Sequence, residues 1–142
     1  MRLLSGIGIV LSLALSFASC GGPAYQPGVY AMDITYLRDD WPGGQDGRKS
    51  HAIWRLEKDG EDYSLYVQDT DFMYKGHEDG GHLYFRRQSG GSGCFYNDLQ
   101  LKIWQTDDKT IDAQGEIITK IDCSGVLLKV EIEAIGRLLE EL

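Results

Sequence analysis

From residue 28 onward, apolar and polar residues alternate in short runs separated by turn residues. This period of two is the signature of strands with one buried face. Tyr30, Met32, Ile34 and Tyr36 predict a first strand, followed by a loop over 39–50 (DDWPGGQDGRKS) opened by Pro42 and its glycines. HAIWRLEK and EDYSLYVQ then flank Asp59-Gly60, a favoured pair for a two-residue hairpin turn. A turn at Asp59-Gly60 sets Lys58 opposite Glu61 and pairs Leu56 with Tyr63, Trp54 with Leu65 and Ala52 with Val67, all on one face.

The pattern continues through a second hairpin from Phe72 to Gln88 that turns in HEDGG (77–81), then a Gly/Ser-rich loop over 89–93. A third pair joins CFYNDLQLKIW to TIDAQGEIITKID around Asp107-Asp108-Lys109. Leu99, Leu101 and Ile103 form one apolar face of it; Ile111, Ala113, Ile117, Thr119 and Ile121 form the other. A turn at Asp108-Lys109 pairs odd with even positions, whereas both apolar faces are odd. Burying them together requires a β-bulge, or Cys94 in the loop ahead of the strand. A last strand over 125–135 carries Val126, Leu128, Val130, Ile132 and Ala134 inward, and RLLEEL (137–142) predicts one helical turn. Eight strands joined by short connections predict an all-β, antiparallel up-and-down meander closed into a small barrel, because closure removes exposed edges. A two-sheet sandwich is the alternative.

The first 19 residues follow a different pattern. Arg2 precedes an apolar run from Leu3 to Phe17 that fits a secretory signal and is short for a transmembrane helix. Phe17-Ala18-Ser19-Cys20 resembles the lipobox of bacterial lipoproteins. That resemblance implies cleavage before Cys20, lipid on its sulfur and attachment to a membrane of the cell envelope; Gly21 after the cysteine implies the outer membrane. Residues 1–19 are then a signal peptide, 20–28 a lipidated cysteine with a Gly/Pro-rich tether (GGPAYQPG), and 29–142 the β domain. Acyl chains contribute ~0.8 kcal/mol per buried methylene, so the domain needs no membrane-binding face. Cysteine arithmetic agrees: with Cys20 modified, Cys94 and Cys123 remain to pair as a disulfide near the open end of the third hairpin.

Charge narrows the partners. Without the signal segment the chain has 13 basic against 22 acidic side chains, a net −9, which disfavours nucleic acid and anionic lipid surfaces. His77, Glu78, Asp79 and His82 crowd one turn, but Asp79-Gly80-Gly81 is explained by the turn itself, and no metal site is expected. There is no Gly-x-Ser-x-Gly, and the pairs Asp39-Asp40 and Asp107-Asp108 sit in polar turns where nothing raises a carboxyl pKa. The expectation is a noncatalytic module with no cofactor. The strand aromatics are assigned to core filling before any pocket. Trp41, in a polar loop, has no core reason to be there and is the first contact candidate.

Two further resemblances bear on function. The eight-strand meander, the Gly28-x-Tyr30 opening and the apolar C-terminal turn look like a small lipocalin-type barrel, which implies a small hydrophobic ligand. Ser92-Gly93-Cys94-Phe95-Tyr96, with Leu101 and Trp104 beyond, is similar to a segment of the membrane-bound C-type lysozyme inhibitors. That likeness implies a proteinaceous lysozyme inhibitor in which Ser92 enters the lysozyme active cleft; Ser92 and Tyr96 join Trp41 as candidate contacts for a small ligand or an envelope protein.

Overall fold

The computed structural model describes residues 25–68, 70, 72–90, 96–121, 123 and 125–142. Eight antiparallel strands follow one another: β1 (Gly28–Asp39), β2 (Lys49–Asp59), β3 (Asp62–Val67), β4 (Met73–Asp79), β5 (His82–Gly90), β6 (Tyr96–Asp107), β7 (Thr110–Lys120) and β8 (Leu127–Glu141). Each pairs with the next, and β8 pairs with β1, so the sheet is a closed barrel and the sandwich alternative falls. The alternation along each strand sorts side chains inward and outward. Tyr30, Leu56, Leu65, Leu83, Ile103 and Ile111 are fully buried inside.

Turn chemistry sets the registers. In the β2–β3 hairpin the two loop residues are Gly60 and Glu61, not Asp59 and Gly60. Asp59 faces Asp62, Lys58 faces Tyr63, Leu56 faces Leu65 and Trp54 faces Val67, two steps from the register expected above. Gly60 (φ +63°) takes the first loop position, where both primed turns require a positive φ. A slip of two preserves parity, so the same side chains stay inside and only their partners change. In the next hairpin Gly80 and Gly81 (φ +57° and +79°) join Asp79 to His82. The parity conflict in β6–β7 is resolved by a bulge. Asp107 faces Thr110, but from Gln105 opposite Ile111 onward the pairing has shifted by one, bringing Ile103 to Ala113 and Leu99 to Ile117.

Three expectations are corrected. Residues 137–141 are strand, not a helical turn: β8 runs on to Glu141 beside Gly28–Ala31 because the start of β1 needs a hydrogen-bonded neighbour. Ile121 and Val126, expected inward, lie outside the strands and are exposed. Residues 25–28, expected in the tether, belong to the barrel. Tyr25 is a core residue, 4% exposed, and Gly28 already pairs in β1.

All two-residue turns lie at one end of the barrel, which Tyr25 plugs. Its ring meets Tyr63 edge-on at 6.1 Å, and its hydroxyl donates to the carbonyls of Gly81 and Ile103. Burial, with the charge of Glu78 second, pushes its pKa up to about 12. The longer connections, including the 40–48 loop, lie at the other end.

Candidate functional site

The outer wall of β4–β6 carries what the alternation leaves outside. With Leu83, Phe85, Leu101 and Ile103 buried, the residues between and beside them, Tyr84, Arg86, Lys102 and Trp104, point outward. Register then does the assembling. Tyr84 stands directly between His77 of β4 and Lys102 of β5's other neighbour, β6. The His77 ring lies 6.2 Å from Tyr84, and His82 lies 6.2 Å from Tyr84 and 6.1 Å from Trp104. The Lys102 ammonium sits 6.0 Å from the Tyr84 ring and 5.9 Å from Trp104, within cation–π range.

Beside this row runs a cleft of about 740 Å³ across β4–β8. Two cross-strand rows flank it: His77, Tyr84, Lys102 and Gln114 on one side, Lys75, Arg86, Gln100, Glu116 and Glu131 on the other; between them lies the row of Phe85, Leu101, Gly115 and Ile132, and Asp79 at the end of β4 completes the charged lining. The charges are unevenly spent. Lys129 bridges Glu116 and Glu131 at 2.9 and 2.7 Å, and these two carboxylates raise its pKa. Arg86 grips Asp98 with two hydrogen bonds of 3.0 and 2.9 Å. With Gln100 also donating at 3.3 Å, that grip lowers the Asp98 carboxyl to about 2. Lys75 donates to the Ser64 hydroxyl at 3.2 Å; neither it nor Lys102 has a carboxylate partner among the described residues.

The residues singled out from the sequence lie elsewhere. Trp41 is 41% exposed in the 40–48 loop. Its amide donates to Asp39 Oδ1 at 3.2 Å and its carbonyl accepts from Gly44 at 2.7 Å, so the loop backbone is ordered beneath a free indole. Tyr96 opens β6, and its hydroxyl accepts from Gln88 Nε2 at 2.8 Å. Cys123 follows β7 at the same end of the barrel; Cys20, Ser92 and Cys94 lie outside the described residues. Among the described residues no three His, Cys, Asp or Glu side chains converge as metal ligands. His77 and His82 instead flank Tyr84. The core assignment of the strand aromatics holds for Tyr30, Trp54 and Tyr63 and fails for Tyr84 and Trp104. Parity alone could have separated these two groups, since Tyr84 and Trp104 alternate with the most apolar positions of their strands. Compared with known proteins, the chain matches no family model and no curated sequence.

Proposed function

We propose that this chain is a noncatalytic envelope lipoprotein, held to a membrane by lipid on Cys20, whose barrel is a packed scaffold presenting binding surface on its outside. The observation that carries the reading is where the interior volume goes. A hollow carrier leaves its wall residues open to a water-sized probe. Here Tyr30, Leu56, Leu65, Leu83 and Ile103 are 0% exposed and belong to one continuous apolar cluster. A sizeable cleft meanwhile lies on the outer wall. A packed interior favours a binding or structural module over a carrier of a small hydrophobic ligand.

The anchor fits this arrangement. With Tyr25 seated in the tight-turn end, only residues 20–24 remain between lipid and barrel. Five residues reach at most ~17 Å. The tight-turn end therefore faces the membrane, while the long loops, with a Cys94–Cys123 disulfide between them, face away. Closing a loop of that size contributes ~3 kcal/mol in the chain-entropy model.

Fractionation of cells expressing the wild type and Cys20→Ala tests the reading. The wild type is expected in the membrane fraction with an acylated N-terminal peptide by mass spectrometry. The variant is expected to lose both the modification and the sedimentation. An unmodified residue 20 in the native protein overturns the anchor. A hydrophobic ligand co-purifying at one per barrel overturns the packed scaffold.

A further inference from the structure

We infer that the outer cleft over β4–β8 is a binding site for an acidic saccharide, with a sugar ring laid on Tyr84 and its carboxylate or phosphate held by Lys75 and Lys102. The inference deepens the binding-module reading by naming a ligand class. It does not depend on the anchor at Cys20.

Three observations carry it. The first is local charge. Although the domain is strongly acidic, Lys75, His77, Arg86 and Lys102 stand on three adjacent strands and line one cleft. Of the three carboxylates that line the cleft, Glu116 and Glu131 are already taken by Lys129 at 2.9 and 2.7 Å, and Asp79 stands at the end of β4, by the tight turn. Arg86 is spent on Asp98. The ammonium groups of Lys75 and Lys102 are left to meet an anion, and each has hydrogen-bond donors in excess of the partners it holds.

The second is the exposed ring between them. Tyr84 is 37% exposed although its neighbours in sequence, Leu83 and Phe85, are fully buried. Burying an aromatic face gains free energy, so a ring held out on a rigid sheet, flanked by His77 and Lys102, is a platform for a flat apolar surface. The C–H face of a pyranose offers such a surface while its rim offers hydroxyls.

The third is the polar lining. Gln100 and Gln114 are exposed in the cleft, Gln114 directly opposite Lys102 in the Tyr84 row and Gln100 opposite Arg86 in the next row. A primary amide both donates and accepts, which matches a hydroxyl on either side of its oxygen. Cations, an aromatic face and amides together suit a saccharide carrying negative charge. A fully apolar ligand would leave the cations and amides unpaired at a cost.

A uronate and a sugar phosphate offer the same chemistry, so both serve as probes. Isothermal titration calorimetry on the full mature protein in detergent micelles is the measurement. The probes are trigalacturonate, its methyl ester, a hexose phosphate and poly-glutamate. Trigalacturonate or the hexose phosphate is expected to bind, the former at least tenfold more tightly than its uncharged ester, with affinity falling as salt rises. Tyr84→Ala and the double variant Lys75→Gln/Lys102→Gln are each expected to weaken binding at least tenfold. Lys58→Gln, at the tight-turn end, should leave it unchanged. All these side chains are on the surface, and unchanged melting temperatures confirm folding. Binding to the uronate alone or to the phosphate alone identifies the source and supports the site. No saccharide binding, equal binding by the variants, or binding of poly-glutamate alone overturns it. So does self-association abolished by the lysine variants, which assigns the cleft to a second copy of the chain.

Discussion

The two ends of the barrel are held together by different physics. At the tight-turn end Tyr25, Tyr30, Trp54, Leu56, Tyr63, Leu65 and Leu83 are 0–4% exposed and pack as one apolar plug. At the loop end the inward positions Tyr36, Leu99 and Leu128 are only partly buried. Polar ties replace packing there. Arg38 grips Asp40 at 2.9 and 2.8 Å, and Asp40 also accepts from the Lys129 amide at 3.1 Å. The Arg38 hydrogen bonds hold the Asp40 carboxyl below the ordinary carboxylate range. Arg86 with Asp98 and Gln88 with Tyr96 form a second tie, and Arg87 lies 3.9 Å over the Phe72 ring as a third. Apolar burial stabilises at every pH, whereas carboxylate ties depend on ionisation. The lesson is that one sheet can have one end indifferent to acid and another sensitive to it.

The strongest blow to this contrast is Tyr25→Ala. Losing a buried aromatic ring is expected to cost about 3–5 kcal/mol by urea denaturation, whereas Leu128→Ala at the loop end should cost less than half as much. Similar costs at the two positions would mean that the plug is not the stronger half. Gly76→Ala comes next. A methyl there would stand 2.5 Å from the Phe85 ring and 2.6 Å from the Tyr84 carbonyl oxygen, so a loss of about 1–3 kcal/mol is expected.

Asp98→Asn probes the acid-sensitive end. The folded carboxyl titrates near 2 against an ordinary 3.8, so its contribution is complete above 3.8 and disappears as pH falls toward 2. The guanidinium of Arg86 is 58% exposed, and solvent screening leaves about 1 kcal/mol for the pair at neutral pH. Wild type and variant should differ by that amount at pH 7 and converge near pH 2. A gap that persists at pH 2 would assign the effect to packing.

Trp54→Phe should change stability by less than about 1 kcal/mol. The indole N–H is buried without a hydrogen-bond partner among the described residues, so removing that donor offsets much of the lost volume. Smallest of all, Trp41→Ala should stay within about 0.5 kcal/mol in thermal melts, because its indole is exposed and its loop is held through the backbone.

Much of this fold was legible residue by residue. The alternation in β1, the Asp-Gly and Gly-Gly turn signals, and the parity conflict requiring a bulge in β6–β7 are local properties. The structure bears each out as a strand, a hairpin or the shift between Gln105 and Asp107. What failed depended on neighbours that the local pattern does not contain. RLLEEL has a helix-like pattern in isolation, but β1 needed a partner along its whole length and took it. Tyr25 reads as part of a Gly/Pro tether until the barrel end it plugs exists. The β2–β3 register moved by two because Gly60 serves best as the first of the loop residues, a choice the side-chain pattern cannot detect.

The sequence by itself determined the strand count, the antiparallel meander and the face most aliphatic strand side chains take, because period-two patterning and turn chemistry act over a few residues. Only the tertiary structure decided which outward residues meet. Lys75, Tyr84 and Lys102 are separated by 9 and 18 positions along the chain and carry no motif. They become neighbours through two hairpin registers and a closed sheet. Cross-strand proximity is set by the sum of the positions, to which a local pattern is blind.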